Sequence, residues 1–171
     1  HIFGINFENI FKILVGLSFI LAPSSLFVWL KRSAKAEIAF IVSIIYLALP
    51  YRILDTFVRG DVAELISFIF IPLIFLSIDL VQKEKNKLKY IILGGFAYGI
   101  FILSHNAIAF IFTPFLFAYS FIYAKKSKNF FFSLTIFAVG ILLSSFFWIP
   151  SIVEGKFVFA KLFVENLYKT N

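Results

Sequence analysis

Eight polar residues near the ends of the apolar runs are of types that do chemistry: Arg52, Asp55, Arg59, Asp61, Glu64, His105, Asn106 and Glu154. Carboxylates such as Asp55, Asp61 and Glu64 can serve as general base toward a hydroxyl or hold a hard cation, and they are the catalytic candidates. Arg52 and Arg59 suit a phosphate, because a guanidinium offers paired N–H donors to its oxygens. His105, Asn106 and Glu154 add donors and acceptors for a polar ligand such as a sugar, and with the two arginines they are the substrate-binding candidates. No metal can be named from these residues, although a divalent cation on the carboxylates is compatible with them.

Each residue also has a purely structural role open to it. Asp61-x-x-Glu64 ahead of an apolar run is an N-terminal capping arrangement, and acidic groups there suit the helix dipole. Asp55 and Arg59, at i and i+4, can pair with each other. Arg52 can snorkel to the headgroups. His105 and Asn106 can cap and turn a helical hairpin. Glu154 can simply be solvated. Outside this set, Asp79 is expected to reach the Lys-rich loop that follows it, and Lys12 to snorkel. Gly94, Gly95 and Gly99 read as close helix packing. No strand precedes them, so a nucleotide-binding glycine loop is excluded. His105 has no second His, Cys or carboxylate at metal-ligand spacing, so zinc is not expected.

The elements that must position these residues are membrane helices. Hydrophobic residues make up 61% of the chain and charged residues only 15%. A soluble domain averages about 45–50% and 25%. Too little polar surface remains to cover a water-soluble ball, so lipid must be much of the solvent. Apolar runs at 10–30, 34–51, 62–81, 90–104, 107–124 and 130–150 predict an all-α polytopic bundle with about six spans. The second run is short for a span and is expected to extend back through Ala34 or to meet a thin bilayer, with Pro50 closing it. Pro23, Ser24 and Ser25 should kink the first run, which Asn6 can cap. Pro150 should close the sixth. Residues 151–171 mix Phe157, Phe159, Leu162, Phe163 and Leu167 with charges and read as an interfacial tail. Cys is absent, so neither a disulfide nor a thiolate metal site is available.

The net charge of +7 does not mark a nucleic-acid binder. Ten of the sixteen Lys and Arg residues lie in three short loops, 31–37, 82–89 and 125–129, rather than on one basic face. These loops alternate with poorly basic ones, so the positive-inside rule predicts that they are cytoplasmic, in a bacterial or archaeal plasma membrane. The eight candidates then gather on the outer side. With no Met at its start, the chain reads as an internal piece of a longer protein that crosses an odd number of times before His1.

Leu49-Pro50-Tyr51-Arg52, Asp55, Val58-Arg59-Gly60-Asp61-Val62-Ala63-Glu64-Leu65, Pro72-Leu73, Leu103-Ser104-His105-Asn106 and Phe147-Trp148-Ile149-Pro150 with Glu154, in that order, resemble the polytopic 6-pyruvoyl-tetrahydropterin synthase-related membrane domain family. Nothing in the chain resembles the soluble, zinc-dependent pterin enzyme, so no pterin cofactor is implied. The family is similar to the GT-C membrane superfamily, whose characterised members transfer sugars from polyprenyl-phosphate carriers at the outer membrane face. The resemblance therefore implies a GT-C-like glycosyltransferase segment with a lipid-linked sugar as partner. Those enzymes usually place their catalytic acid in the first outer loop, which here would precede the chain or end near His1–Phe7, with Glu8 the only candidate in view. A carrier or flippase and a non-catalytic envelope scaffold are the competing functions.

Overall fold

The computed structural model describes residues 6–124 and 127–155, except for the side chains at 127 and 128. Helices form where the apolar runs lie. Helix α1 spans Phe7–Leu30 and runs on through Pro23; Asn6 precedes it but makes no side-chain capping bond. Lys12 pairs with Glu8 one turn earlier, at 2.6 Å.

The second span departs from expectation. Helix α2, Ala36–Leu47, stops short, and Pro50 opens α3, Pro50–Leu54, instead of closing the span. The reason is local: at the first position of a helix the N–H that proline lacks has no partner anyway, and its fixed φ suits the turn. Helix α3 passes into one π-helical turn, Asp55–Arg59, in which Gly60 N–H bonds back to Asp55 O at 2.8 Å. Gly60 ends it at φ 67°, a left-handed conformation that glycine adopts without steric cost. The segment Ala36–Arg59 is thus 24 residues long and apolar enough to span. It gains its length forward, not back through Ala34. Arg52–Arg59 are therefore helical, and only Gly60 and Asp61 link them to the next helix.

Helix α4 spans Val62–Lys83 and is the most buried element, with Leu65, Ile74, Ile78 and Val81 fully enclosed. Its Pro72 removes the N–H that would bond the Phe68 carbonyl. Tyr46 of α2 donates its hydroxyl to that carbonyl at 2.9 Å. Helices α5, Lys87–Ser104, and α6, Asn106–Tyr123, are joined by His105 alone. Helices α7, Ser127–Leu143, and α8, Ser145–Glu154, meet at a bend of 64°. Pro150 lies inside α8 and does not close the span. Residues 151–154 are helical, while the amphipathic part of the tail lies outside the described residues.

Among the described residues there is no strand. Five helices are long and apolar enough to cross a membrane, and a sixth span arises if the bent pair α7–α8 crosses as one. The chain is an all-α polytopic bundle. Helices α1 and α5 pack on α4, and α7 packs on α5. The α5–α7 seam is made by small residues, as expected in lipid: a Cβ at Gly99 would lie 3.3 Å from the Gly140 carbonyl oxygen. Phe110, Phe121 and Ile122 are more than 70% exposed, which is the normal state of a lipid-facing side chain.

Side-chain bonds define two ends of the bundle. At one, Arg32 pairs with Glu84 at 3.4 Å and Gln82 donates to Ser133 at 2.8 Å. Asp79 lies just inside this end and does not reach the Lys-rich loop. It accepts from Trp29 Nε1 at 3.0 Å and from the Tyr119 hydroxyl at 2.7 Å, tying α1 and α6 to α4. A buried carboxylate needs its hydrogen bonds nearby, and two aromatic donors one helix away supply them. The opposite end holds most of the candidate residues.

Candidate functional site

The N-terminus of α4 supplies the first part of the site. Asp61 caps it by accepting from Glu64 N–H through Oδ1 at 3.0 Å, which leaves Oδ2 to neighbours outside the helix. One turn in, Glu64 is only 1% exposed. His105 caps α6, its Nδ1 accepting from Ile108 N–H at 3.2 Å. The tautomer assigned from that bond places the ring proton on Nε2. Nε2 stands 3.4 Å from Asp61 Oδ2 and 4.0 Å from Glu64 Oε2. The sequence spacing had offered His105 no carboxylate; the fold brings two to it, from 41 and 44 positions earlier in the chain.

The π-turn supplies the second part. Arg59 Nη1 lies 2.9 Å from Glu64 Oε2 and 3.3 Å from Asp55 Oδ1, and Nη2 lies 3.9 Å from Asp61 Oδ2. The expected Asp55–Arg59 pairing is present, within a larger cluster. Nη1 also donates to the Tyr51 hydroxyl at 2.9 Å, and that hydroxyl donates to Glu64 Oε1 in a short hydrogen bond. Despite the 2.9 Å approach, no N–H of Arg59 is aimed at Glu64 Oε2, and that oxygen accepts no hydrogen bond. Neither oxygen of the fully buried Asp55 accepts one either. Charge holds Arg59 to these two carboxylates more than directional bonding does. Three carboxylates thus face one guanidinium and a capped imidazole.

Arg52 does not snorkel. Because α3 continues the span, Arg52 points inward and is fully buried. Its guanidinium lies among the rings of Phe19, Tyr46 and Phe68, 5.2, 5.6 and 5.5 Å from their centroids. Nη2 donates to the Ser18 carbonyl at 3.1 Å. Cation–π attraction of this kind is strongest where water is excluded. Arg52 forms no ion pair among the described residues.

The cluster therefore unites Asp55, Arg59, Asp61, Glu64 and His105, with Arg52 behind it. Asn106 faces a different space, a cavity of about 310 Å³ between α5 and α6 lined also by Tyr98, Phe110 and Thr113. Glu154 is exposed on α8 and joins no ion pair among the described residues. Tyr51 is the participant that sequence reasoning overlooked. It was findable: Tyr51, Asp55 and Arg59 repeat every four residues, one stripe along a helix. The three rings around Arg52 left no such signal.

No curated protein and no solved structure matches the chain. The profile of a membrane protein family, the 6-pyruvoyl-tetrahydropterin synthase related domain, matches residues 2–170, and the chain belongs to that family.

Proposed function

We propose that this chain is the membrane part of an enzyme that acts on a lipid-linked, phosphate-bearing substrate, in the manner of a GT-C glycosyltransferase with a polyprenyl-phosphate-linked sugar as donor. The observation that carries this reading is the meeting of Tyr51, Asp55, Arg59, Asp61, Glu64 and His105 at one end of the bundle, from separate spans. Ionisable groups at membrane depth are costly and mark substrate sites by default. Half-exposed Arg59 would take the donor phosphate. Asp55, Asp61 and Glu64 would hold a cation or activate the acceptor hydroxyl, and His105 Nε2–H would donate to a ligand oxygen. Arg52 would hold the wall of the site from behind.

Two other functions receive less support. A carrier needs polar groups that continue across the midplane. The hydroxyls of Ser18, Ser43, Ser67, Thr113, Thr135 and Ser144 all bond to carbonyls three or four residues earlier in the chain, so they offer no continuous path. A scaffold is favoured only by the mutual pairing of the cluster residues.

The lipids that copurify with the full-length parent test the proposal. Mass spectrometry should find a polyprenyl phosphate or its sugar adduct with the wild type and lose it in Arg59→Ala. Bulk phospholipid alone in both samples would exclude the lipid-linked donor.

The site is proposed to face outward, with 31–37, 82–89 and 125–129 in the cytoplasm of a bacterium or archaeon. In this Cys-free chain, an impermeant thiol reagent on intact cells should label a cysteine at Ser104 and spare one at Ser127. The reverse pattern would invert the orientation.

A further inference from the structure

We propose that Asp61 and Glu64 hold a hard divalent cation, and that the cation takes the place beside these carboxylates that Arg59 fills in this structure, releasing Arg59 toward the substrate. The proposal deepens the reading above and rests on it only for what Arg59 meets once released.

Three observations support the exchange. First, one oxygen of Asp61 and one of Glu64 lie within 4.8 Å of each other, a spacing that a single ion can bridge, and a ring nitrogen of His105 lies within the same distance of both. Second, the carboxylates outnumber the cations: Asp55, Asp61 and Glu64 face Arg59, with Arg52 behind Asp55, and two negative charges are left over once Arg59 turns away. A divalent ion cancels that excess. Third, one acceptor is in want of a partner. Glu64, 1% exposed, has an oxygen between Arg59 and His105 that accepts no hydrogen bond. Buried acceptors are normally satisfied, and their exceptions point to a missing partner.

The class of ion follows from His105. Its Nδ1 is engaged in the α6 cap and its proton sits on Nε2, so the ring has no lone pair to give a metal. The site offers carboxylate oxygens only. Oxygen-only sites suit magnesium, manganese or calcium, and magnesium characteristically uses one or two carboxylates plus waters and substrate phosphate. His105 Nε2–H is then placed to donate to an oxygen carried by the ion. Arg59 can leave because its side chain is 49% exposed and no N–H is aimed at Glu64 Oε2. A phosphate would otherwise have to approach three carboxylates unaided. The ion and the freed guanidinium together reverse that repulsion.

The test is Mn²⁺ binding to the full-length parent in nanodiscs, read by the electron paramagnetic resonance of free Mn²⁺. Wild type should bind one ion per chain, saturably and in competition with Mg²⁺, with Kd on the order of 10⁻⁴ to 10⁻³ M. Glu64→Gln should weaken binding by about tenfold or more. Arg59→Gln should tighten it by about tenfold, since it removes a competing positive charge a few ångströms away. If Arg59→Gln is not monodisperse, Tyr51→Phe carries the same test: it keeps the ring, removes the hydroxyl that anchors Arg59, and should also tighten binding. No saturable Mn²⁺ in wild type or in these variants overturns the site. Binding that is unchanged or weaker in both Arg59→Gln and Tyr51→Phe overturns the exchange. The measurement needs no sugar transfer, so its failure is separable from failure of the lipid-donor reading.

Discussion

Replacing Asp79 by alanine is expected to destabilise the bundle by about 2 kcal/mol, although Asp79 lies at the end opposite the candidate site. The side chain is 3% exposed and accepts from Trp29 at 3.0 Å and from Tyr119 at 2.7 Å. Alanine leaves two half-buried aromatic donors without their acceptor. A hydrogen bond to a charged group contributes about 1.5–3 kcal/mol in soluble proteins, but interhelical bonds in membranes average about 0.6 and reach about 1.7. Two such bonds give the stated figure. Asp79→Asn keeps one acceptor oxygen and should lose about half as much. Thermal unfolding followed by Trp29 fluorescence, in a Trp148→Phe background, measures this directly because the chain has only these two tryptophans. Wild-type stability in Asp79→Ala would show that the three helices are held by packing alone.

A larger loss, about 3 kcal/mol, is expected for Gly140→Leu. A Cβ at this position would lie 2.9 Å from the backbone nitrogen of Gly99 and 2.9 Å from Tyr98 Cβ. The backbone of α5 cannot step aside as a flexible side chain would, so α5 and α7 must separate along their seam. In lipid no hydrophobic effect draws the helices back together, and close packing is most of what joins them. Gly16→Leu is the control: a Cβ there meets nothing within 4 Å. Its stability should stay within about 1 kcal/mol of wild type. Equal losses in the two variants, measured by the same unfolding assay, would sink the account of the seam.

Much of the architecture could be read from the residues alone. The apolar runs place the spans, because bilayer thickness dictates their length. The Asp61–Glu64 cap, the His105 cap and the Asp55–Arg59 pair were legible for a related reason: each is a contact within one or two helical turns, where spacing fixes distance. What escaped, apart from the close packing at the α5 glycines, was which residues meet between spans. Asp79 looks toward its neighbouring lysines in sequence, but its partners are 50 and 40 residues away. The approach of His105 to Asp61 and Glu64 depends on which helix α4 packs against, and composition does not encode that choice. Pro50 misled because proline ends one helix and begins another with equal ease. Only the turn that follows decides which, and with it whether Arg52 lies in a loop or inside the membrane.

Pro72 has an effect that its position in mid-helix hides. Helix α2 is smooth and apolar, and little on such a surface resists sliding or rotation against a neighbour of the same kind. Pro72 subtracts one hydrogen from α4 and so exposes one carbonyl, at Phe68, that only a donor from outside the helix can satisfy. Tyr46 is that donor. The fit resembles a key cut by removal: a missing atom on one helix gives the other a single address. Phe68 and Tyr46 are also two of the three rings around Arg52. The same subtraction therefore sets where the buried arginine sits and, through the continuous α3 and π-turn, where Arg59 emerges at the site.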